Sequence, residues 1–116
     1  MRNALTLSAE IRAALADGMP VVALESTVIA HGLPHPDNLE TSQAMEQAVR
    51  DTGAIPATIA VVDGRIRVGL SEEDRAHLAD PEADIAKLSR RDIAACVVAG
   101  GTGATTVSAT MICAQA

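Results

Sequence analysis

Apolar and polar positions along the chain alternate between two periods. Residues Ser8 to Ala16 carry Ile11 and Leu15 on one face, with Ser8 placed to cap and Glu10 in the positively polarised first turn, which predicts a helix ended by Gly18. Pro20-Val21-Val22-Ala23-Leu24 is a short continuous apolar run of the kind found in a buried strand, and Glu25 stands at its carboxyl end. Gly32, Pro34 and Pro36 break the stretch from Ser26 to Pro36 into a loop. A second helix opens at Asp37 or Asn38, carries Leu39, Met45, Ala48 and Val49 at roughly helical spacing, and closes at Gly53.

The period then switches to two. Ala57 to Val62 and Arg65 to Leu70 read as strands joined by Asp63-Gly64, a two-residue hairpin signal. Arg65 and Arg67 alternate with Ile66 and Val68, so one face of the second strand is expected to be wet. Ser71 caps a third helix whose first turn is acidic, and Asp80-Pro81 stops it. Lys87-Leu88-Ser89 reads as a short strand, and Asp92 to Ala99 fits helix or strand equally. Gly100 to Gly103 reads as a loop before a helix from Thr105 to Ala114, with Val107 and Met111 on one side. Strands alternating with helices predict an α/β class: a layered α-β-α arrangement on a mixed, partly parallel sheet. The last apolar helix has no following strand to pack on, which predicts that residues 1–116 are the amino-terminal part of one domain, truncated or dependent on a partner.

Composition narrows the picture. With 116 residues the chain has room for one domain, and 48% hydrophobic content suits a globular one. It has no Phe, Tyr or Trp, so the core must be aliphatic, and modest stability is expected. A net charge of −6 with scattered Arg offers no continuous cationic face, which argues against a DNA or RNA polymer as partner. One phosphate still needs only a local cation or helix amino terminus. Cys96 and Cys113, set among small apolar residues, read as free buried thiols, and no zinc spacing is present. No signal peptide and no membrane-length apolar run is seen, so a cytoplasmic protein with no membrane partner is expected.

Three places could carry chemistry. Glu25 follows an apolar strand, where α/β proteins put ligands, and a carboxyl group so placed can act as general acid or base; alternatively it is a solvated strand-end acid. Lys87 is the only lysine, so imine or lysine–phosphate chemistry within the chain would have to use it, although a surface lysine is the plainer reading. Gly100 to Thr106 precedes a helix, where backbone N–H groups and the hydroxyls of Thr105 and Thr106 could hold a phosphate, or the segment is merely a tight connection. His31 and His35 are four apart, but Gly32 and Pro34 between them argue against a helical metal pair.

Taken together, Val21 to Thr27, His31-Gly32-Leu33-Pro34 and Pro36-Asp37-Asn38 resemble the opening signature of the pseudouridine-5′-phosphate glycosidases. Pro56 to Ala60, Gly64 and Val68-Gly69-Leu70 are similar to the family's next block, and Lys87 with Ser89 to Asp92, then Gly103 to Val107 with Thr110-Met111, to its third. The resemblance implies reversible cleavage of the C–C glycosidic bond of pseudouridine 5′-phosphate to uracil and ribose 5-phosphate. It implies ring opening, then an imine between a lysine and the sugar as electron sink, since carbon is a poor leaving group. It implies Glu25 as the proton donor and acceptor, substrate binding by Lys87 and Val107 with Thr105 and Thr106 beside them, manganese as cofactor, and a homo-oligomer, a trimer. It places the imine-forming lysine and the metal ligand outside this sequence, so that Lys87 is a binding group and the chain alone is expected to be inactive. The other readings are a non-catalytic phosphosugar-binding module and the remnant of a broken gene.

Overall fold

The computed structural model describes residues 4–116. In chain order the elements are β1 (Leu5–Leu7), α1 (Ala9–Ala16), β2 (Val21–Leu24), a π-helical turn (Val28–Gly32), α2 (Asp37–Asp51), β3 (Ile55–Val62), β4 (Arg65–Val68), α3 (Glu72–Ala79), β5 (Ala86–Leu88), a 3-10 turn (Arg90–Asp92), α4 (Ile93–Val98), β6 (Gly103–Thr105) and α5 (Val107–Gln115). The sheet runs β1-β4-β3-β6-β5, with β2 also on β3. β1 is parallel to β4, β2 to β3 and β5 to β6, whereas β3 is antiparallel to both β4 and β6. This is the mixed, partly parallel α/β sheet expected from the sequence.

β3 organises the molecule. Its alternating side chains enter two cores: Ile59 and Val61 join Ile66, Leu88, Ile93, Ala109 and Cys113 on one face. Ala60 and Val62 join Ile29, Leu78 and Ala79 on the other. A strand buried on both faces reads as a continuous apolar run, as Ile59 to Val62 does. The hairpin from β3 to β4 turns at Asp63 and Gly64, both with positive φ (49° and 76°), the requirement of a two-residue turn matched to strand twist. A Cβ at Gly64 would also stand 2.9 Å from the Cα of Gly100. The caps follow the sequence: the Ser8 hydroxyl accepts from the Ile11 N–H, and Ser71 forms a reciprocal capping box with Asp74.

Several expectations are corrected. β1 is an additional strand. β2 is only half-covered, with Val22 41% exposed, because among the described residues β3 is its one strand partner. α1 buries Ile11 and Ala14 and leaves Leu15 in solvent. The stretch after Glu25 contains a π turn instead of loop alone. Residues 92–99 resolve to the helix α4 behind a 3-10 turn. Part of the Gly-rich segment is strand, β6, as Gly103 pairs with both Ala86 and Val61; it lies so close to Leu88 that a Cβ there would stand 2.6 Å from Cδ1. α5 buries Ala109, Thr110 and Cys113, whereas Val107 and Met111 face outward.

α2 departs most. Its fully buried residues are Asn38 and Ser42, with Glu46 a turn further on the same face, and of the apolar series Leu39 packs partly buried on the second core. The reason is Arg75 on α3, 3% exposed, which donates to the Ser42 hydroxyl at 2.9 Å and to Glu46 at 3.1 Å. Glu46 also accepts the Thr58 hydroxyl at 2.6 Å, tying α2 and α3 to β3. A buried cation requires such partners, so the helix face that meets it is polar. Both cysteines are free, and burial pushes both thiols up from their ordinary value. Among the described residues no helix is long and apolar enough to cross a membrane.

Candidate functional site

β4 and β6 both pair with residues 60–61 of β3, so they take its two edges. β2 runs along the first half of β3 and points its carboxyl end at the carboxyl end of β6, where the Ser26 N–H donates to the Thr105 carbonyl at 3.0 Å. The Thr105 N–H returns a bond to the Ser26 hydroxyl at 2.8 Å. Both hydroxyls donate to the Ile59 carbonyl at 2.6 Å, and Thr105 is also 2.9 Å from the Thr110 hydroxyl. Ser26 and Thr105 are both fully buried. β5 lies parallel to β6, and the Thr106 N–H donates to the Leu88 carbonyl at 2.9 Å. Three strand ends therefore converge, and the residues that the resemblance singled out lie in or just past these strands: Lys87 in β5, Thr105 in β6, and Glu25, Thr106 and Val107 beyond.

Glu25 emerges from β2 and folds back on the π turn. One carboxylate oxygen accepts the Thr27 N–H at 3.2 Å and the Thr27 hydroxyl; the other accepts the Val28 N–H at 3.2 Å. This fixes the orientation of the carboxylate, which keeps a lone pair on the second oxygen for a ligand. Asn38, buried on α2, clamps the same turn by donating to the carbonyls of Ile29 at 2.8 Å and Ala79 at 3.0 Å. A cleft of about 200 Å³ opens here, lined by Glu25, Thr27, Val28, His31, Gly32 and Lys87. Lys87, on β5 opposite Ala104, is exposed and reaches this cleft from the other side. A second, more apolar groove of about 310 Å³ shares Glu25 and adds Leu24, Met45, Val107, Thr110 and Met111. Glu25 thus stands on the divide between a charged cleft and an apolar groove.

The structure brings Glu25 and Lys87 into one cleft and Glu25 and Val107 into the next. Val107 is the first residue of α5, where helix geometry leaves N–H groups without intrahelical partners. Thr106 caps that helix, its hydroxyl accepting from the Ala109 N–H at 3.5 Å. The Thr105 side chain turns inward, and its hydroxyl is spent on Ile59 and Thr110, so it braces the junction from below instead of offering a free donor. Ser26, Thr27 and Asn38 belong to the signature residues of the resemblance but carry no assigned role in the sequence, and His31 is weighed there for chemistry only as a metal ligand. Hydroxyl residues directly after a strand-end carboxylate were the available signal. Next to the cleft, Asp92 is held below the ordinary carboxylate range by the Ser89 hydroxyl and N–H bonds, with Arg91 adding to it.

No three carboxylate, imidazole or thiol groups among the described residues come together as a metal site. Among the described residues manganese therefore has no fitting ligand set, and no step below is routed through it. A larger groove of about 510 Å³, lined by Leu7, Ile11, Leu15, Val21 and Ala57 among others, lies on the sheet face beside α1 and lacks a carboxylate side chain.

Known proteins share this architecture. The family of indigoidine synthase A like proteins matches residues 10–116. The pseudouridine-5′-phosphate glycosidase of Paracoccus denitrificans (strain Pd 1222) is 60% identical over 112 residues, 96% of this chain and 37% of its own. That of Rhodospirillum centenum (strain ATCC 51521 / SW) is 60% identical over 115 residues, 99% of this chain and 35% of its own. The crystal structure of the prealnumycin C-glycosynthase AlnA in complex with ribulose 5-phosphate superposes with a TM-score of 0.84 at 42% identity, over 96% of this chain and 35% of that one. An indigoidine synthase A-like protein of Thermotoga maritima superposes with a TM-score of 0.79 at 34% identity, over 95% and 35%. The chain spans somewhat over a third of the length of these relatives. With the match running through β2, the π turn, β5 and α5, the chain belongs to the family of indigoidine synthase A like proteins, and its curated relatives are pseudouridine-5′-phosphate glycosidases.

Proposed function

We propose that this chain forms the phosphosugar cleft and supplies the proton-transferring carboxylate of a pseudouridine-5′-phosphate glycosidase, which cleaves the C–C glycosidic bond to give uracil and ribose 5-phosphate. The observation that carries the reading is Glu25 and Lys87 sharing one cleft at the converging strand ends. That glycosidases at 60% identity and a ribulose 5-phosphate complex share the fold supports it. Lys87 supplies a point charge for the phosphate or the sugar oxygens. Glu25 in its acid form gives its proton to the ring oxygen as the C1′–O4′ bond breaks; the bonding pair leaves with oxygen as a hydroxyl, and C1′ takes a pair from the imine-forming amine, which is not assigned to a residue of this chain. As the carboxylate it can later take a proton back. The turn bonds from Thr27 and Val28 hold it at the cleft wall for both steps. The electron sink for the C–C step is not assigned to Lys87, which acts as a binding group, and the chain by itself is inactive in this reading. Cytoplasmic location and assembly as a homo-oligomer, a trimer, belong to the same proposal, the latter read by sedimentation.

A chimera tests it. This chain replaces the matching 112 residues of the Paracoccus denitrificans glycosidase, and uracil release from pseudouridine 5′-phosphate is followed by chromatography. The chimera is expected to release uracil, and Glu25→Gln to lower kcat by about 10²–10⁴. A folded chimera whose Glu25→Gln variant keeps its kcat would overturn the assignment.

A further inference from the structure

His31 belongs to the π turn, and that turn is held at three points. Glu25 binds its first N–H groups, the Asn38 amide binds the Ile29 carbonyl at 2.8 Å, and the Ile29 side chain is fully buried. π turns are rare and concentrate at functional sites. This one sets His31 and Gly32 on the wall of the 200 Å³ cleft. Three ionisable groups line that cleft, each from a different segment: Glu25 after β2, His31 on the turn and Lys87 on β5. Glu25 is spent partly on its own turn. Neither the His31 imidazole nor the Lys87 ammonium makes a hydrogen bond or ion pair among the described residues. Two unpaired basic groups facing one concavity suit a dianion better than a neutral ligand. A phosphate monoester carries nearly two charges at neutral pH and several acceptor oxygens, enough to engage both. His35 and His77 do not line the cleft.

We propose that His31 is a further substrate-binding residue: an imidazole N–H of its ring joins Lys87 in holding the phosphate of the phosphosugar, which leaves Glu25 to the sugar ring. The inference rests on the cleft being the phosphosugar site. Because the chain has three histidines, ring signals of the 13C-labelled protein separate the two questions when ribose 5-phosphate is titrated in. The His31 signal is expected to move and saturate while His35 and His77 stay, and ribose without phosphate is expected to leave all three unmoved. His31→Gln is expected to weaken ribose 5-phosphate binding about tenfold, the loss of one charge-assisted hydrogen bond, with His35→Gln as the unaffected control. Binding that shifts backbone signals at Lys87 but not the His31 ring would overturn the role of His31 and leave the cleft standing. No saturable shift anywhere would overturn both.

Discussion

Ser26 and Thr105 are where the site depends on single hydroxyl groups. The two buried side chains share the Ile59 carbonyl and bond one another's strands, so removing one strands a polar partner in a dry core. Thr105→Val keeps the shape and deletes the hydroxyl; it is expected to cost about 1–3 kcal/mol, read as a lower urea midpoint at unchanged slope. A midpoint within error of wild type would show that the junction does not need that bond. Glu10 and Arg50 illustrate the weaker end of the scale. They pair at 2.7 Å but are 49% and 37% exposed, and the Arg50 hydrogen bond holds Glu10 below the ordinary carboxylate range. Glu10 therefore stabilises the fold above its unfolded value, near about 4.3, and that contribution fades as pH falls through the lower folded value. Comparing thermal unfolding of Glu10→Gln with wild type, the expected deficit is about 0.2–1 kcal/mol at neutral pH, vanishing in acid; a deficit that grows in acid would contradict this.

At the scale of elements, the helix pair α2–α3 is the instructive case. Arg75 sits in a buried cage of Ser42 and Glu46, while its Nε has no hydrogen-bond partner and stands 4.0 Å from Glu72. Arg75→Met leaves Glu46 without its cation and is expected to cost about 3–5 kcal/mol in denaturant unfolding, with Arg75→Met/Glu46→Met recovering much of it. A double variant no better than the single would argue that packing, not charge, sets the cost. The sequence showed α2 as a helix because its boundaries are written in Asp37 and Gly53, yet its inward face was illegible. Ser42 and Glu46 are polar, and a buried arginine contributed by α3, 29 residues away from Glu46, makes them core, whereas Asn38 is buried to clamp the carbonyls of Ile29 and Ala79. The hairpin was legible for the opposite reason: Asp63-Gly64 is local chemistry. β6 was not, since three residues, Gly103 to Thr105, become strand only through partners in β3 and β5.

Over the whole molecule, the site is a consequence of topology. β2 and β6 meet end to end along one edge of β3, and β5 follows β6, so carboxyl ends of three strands deliver Glu25, Lys87 and the start of α5 to one place. Glu25 as a strand-end carboxylate was readable from the run before it, whereas its company was not: Lys87 lies 62 residues further on, at the edge of the same cleft. Within the Gly-rich segment, Gly103 to Thr105 close the sheet, and the Thr105 hydroxyl serves the interior. The account stands or falls on whether that convergence makes a phosphosugar site in this chain. Isothermal titration calorimetry with ribose 5-phosphate on the 116-residue protein reads this directly, with Lys87→Gln alongside. Saturable binding that Lys87→Gln weakens about tenfold or more is the expected result. No binding by the folded wild-type chain, or binding unchanged by Lys87→Gln, would contradict it.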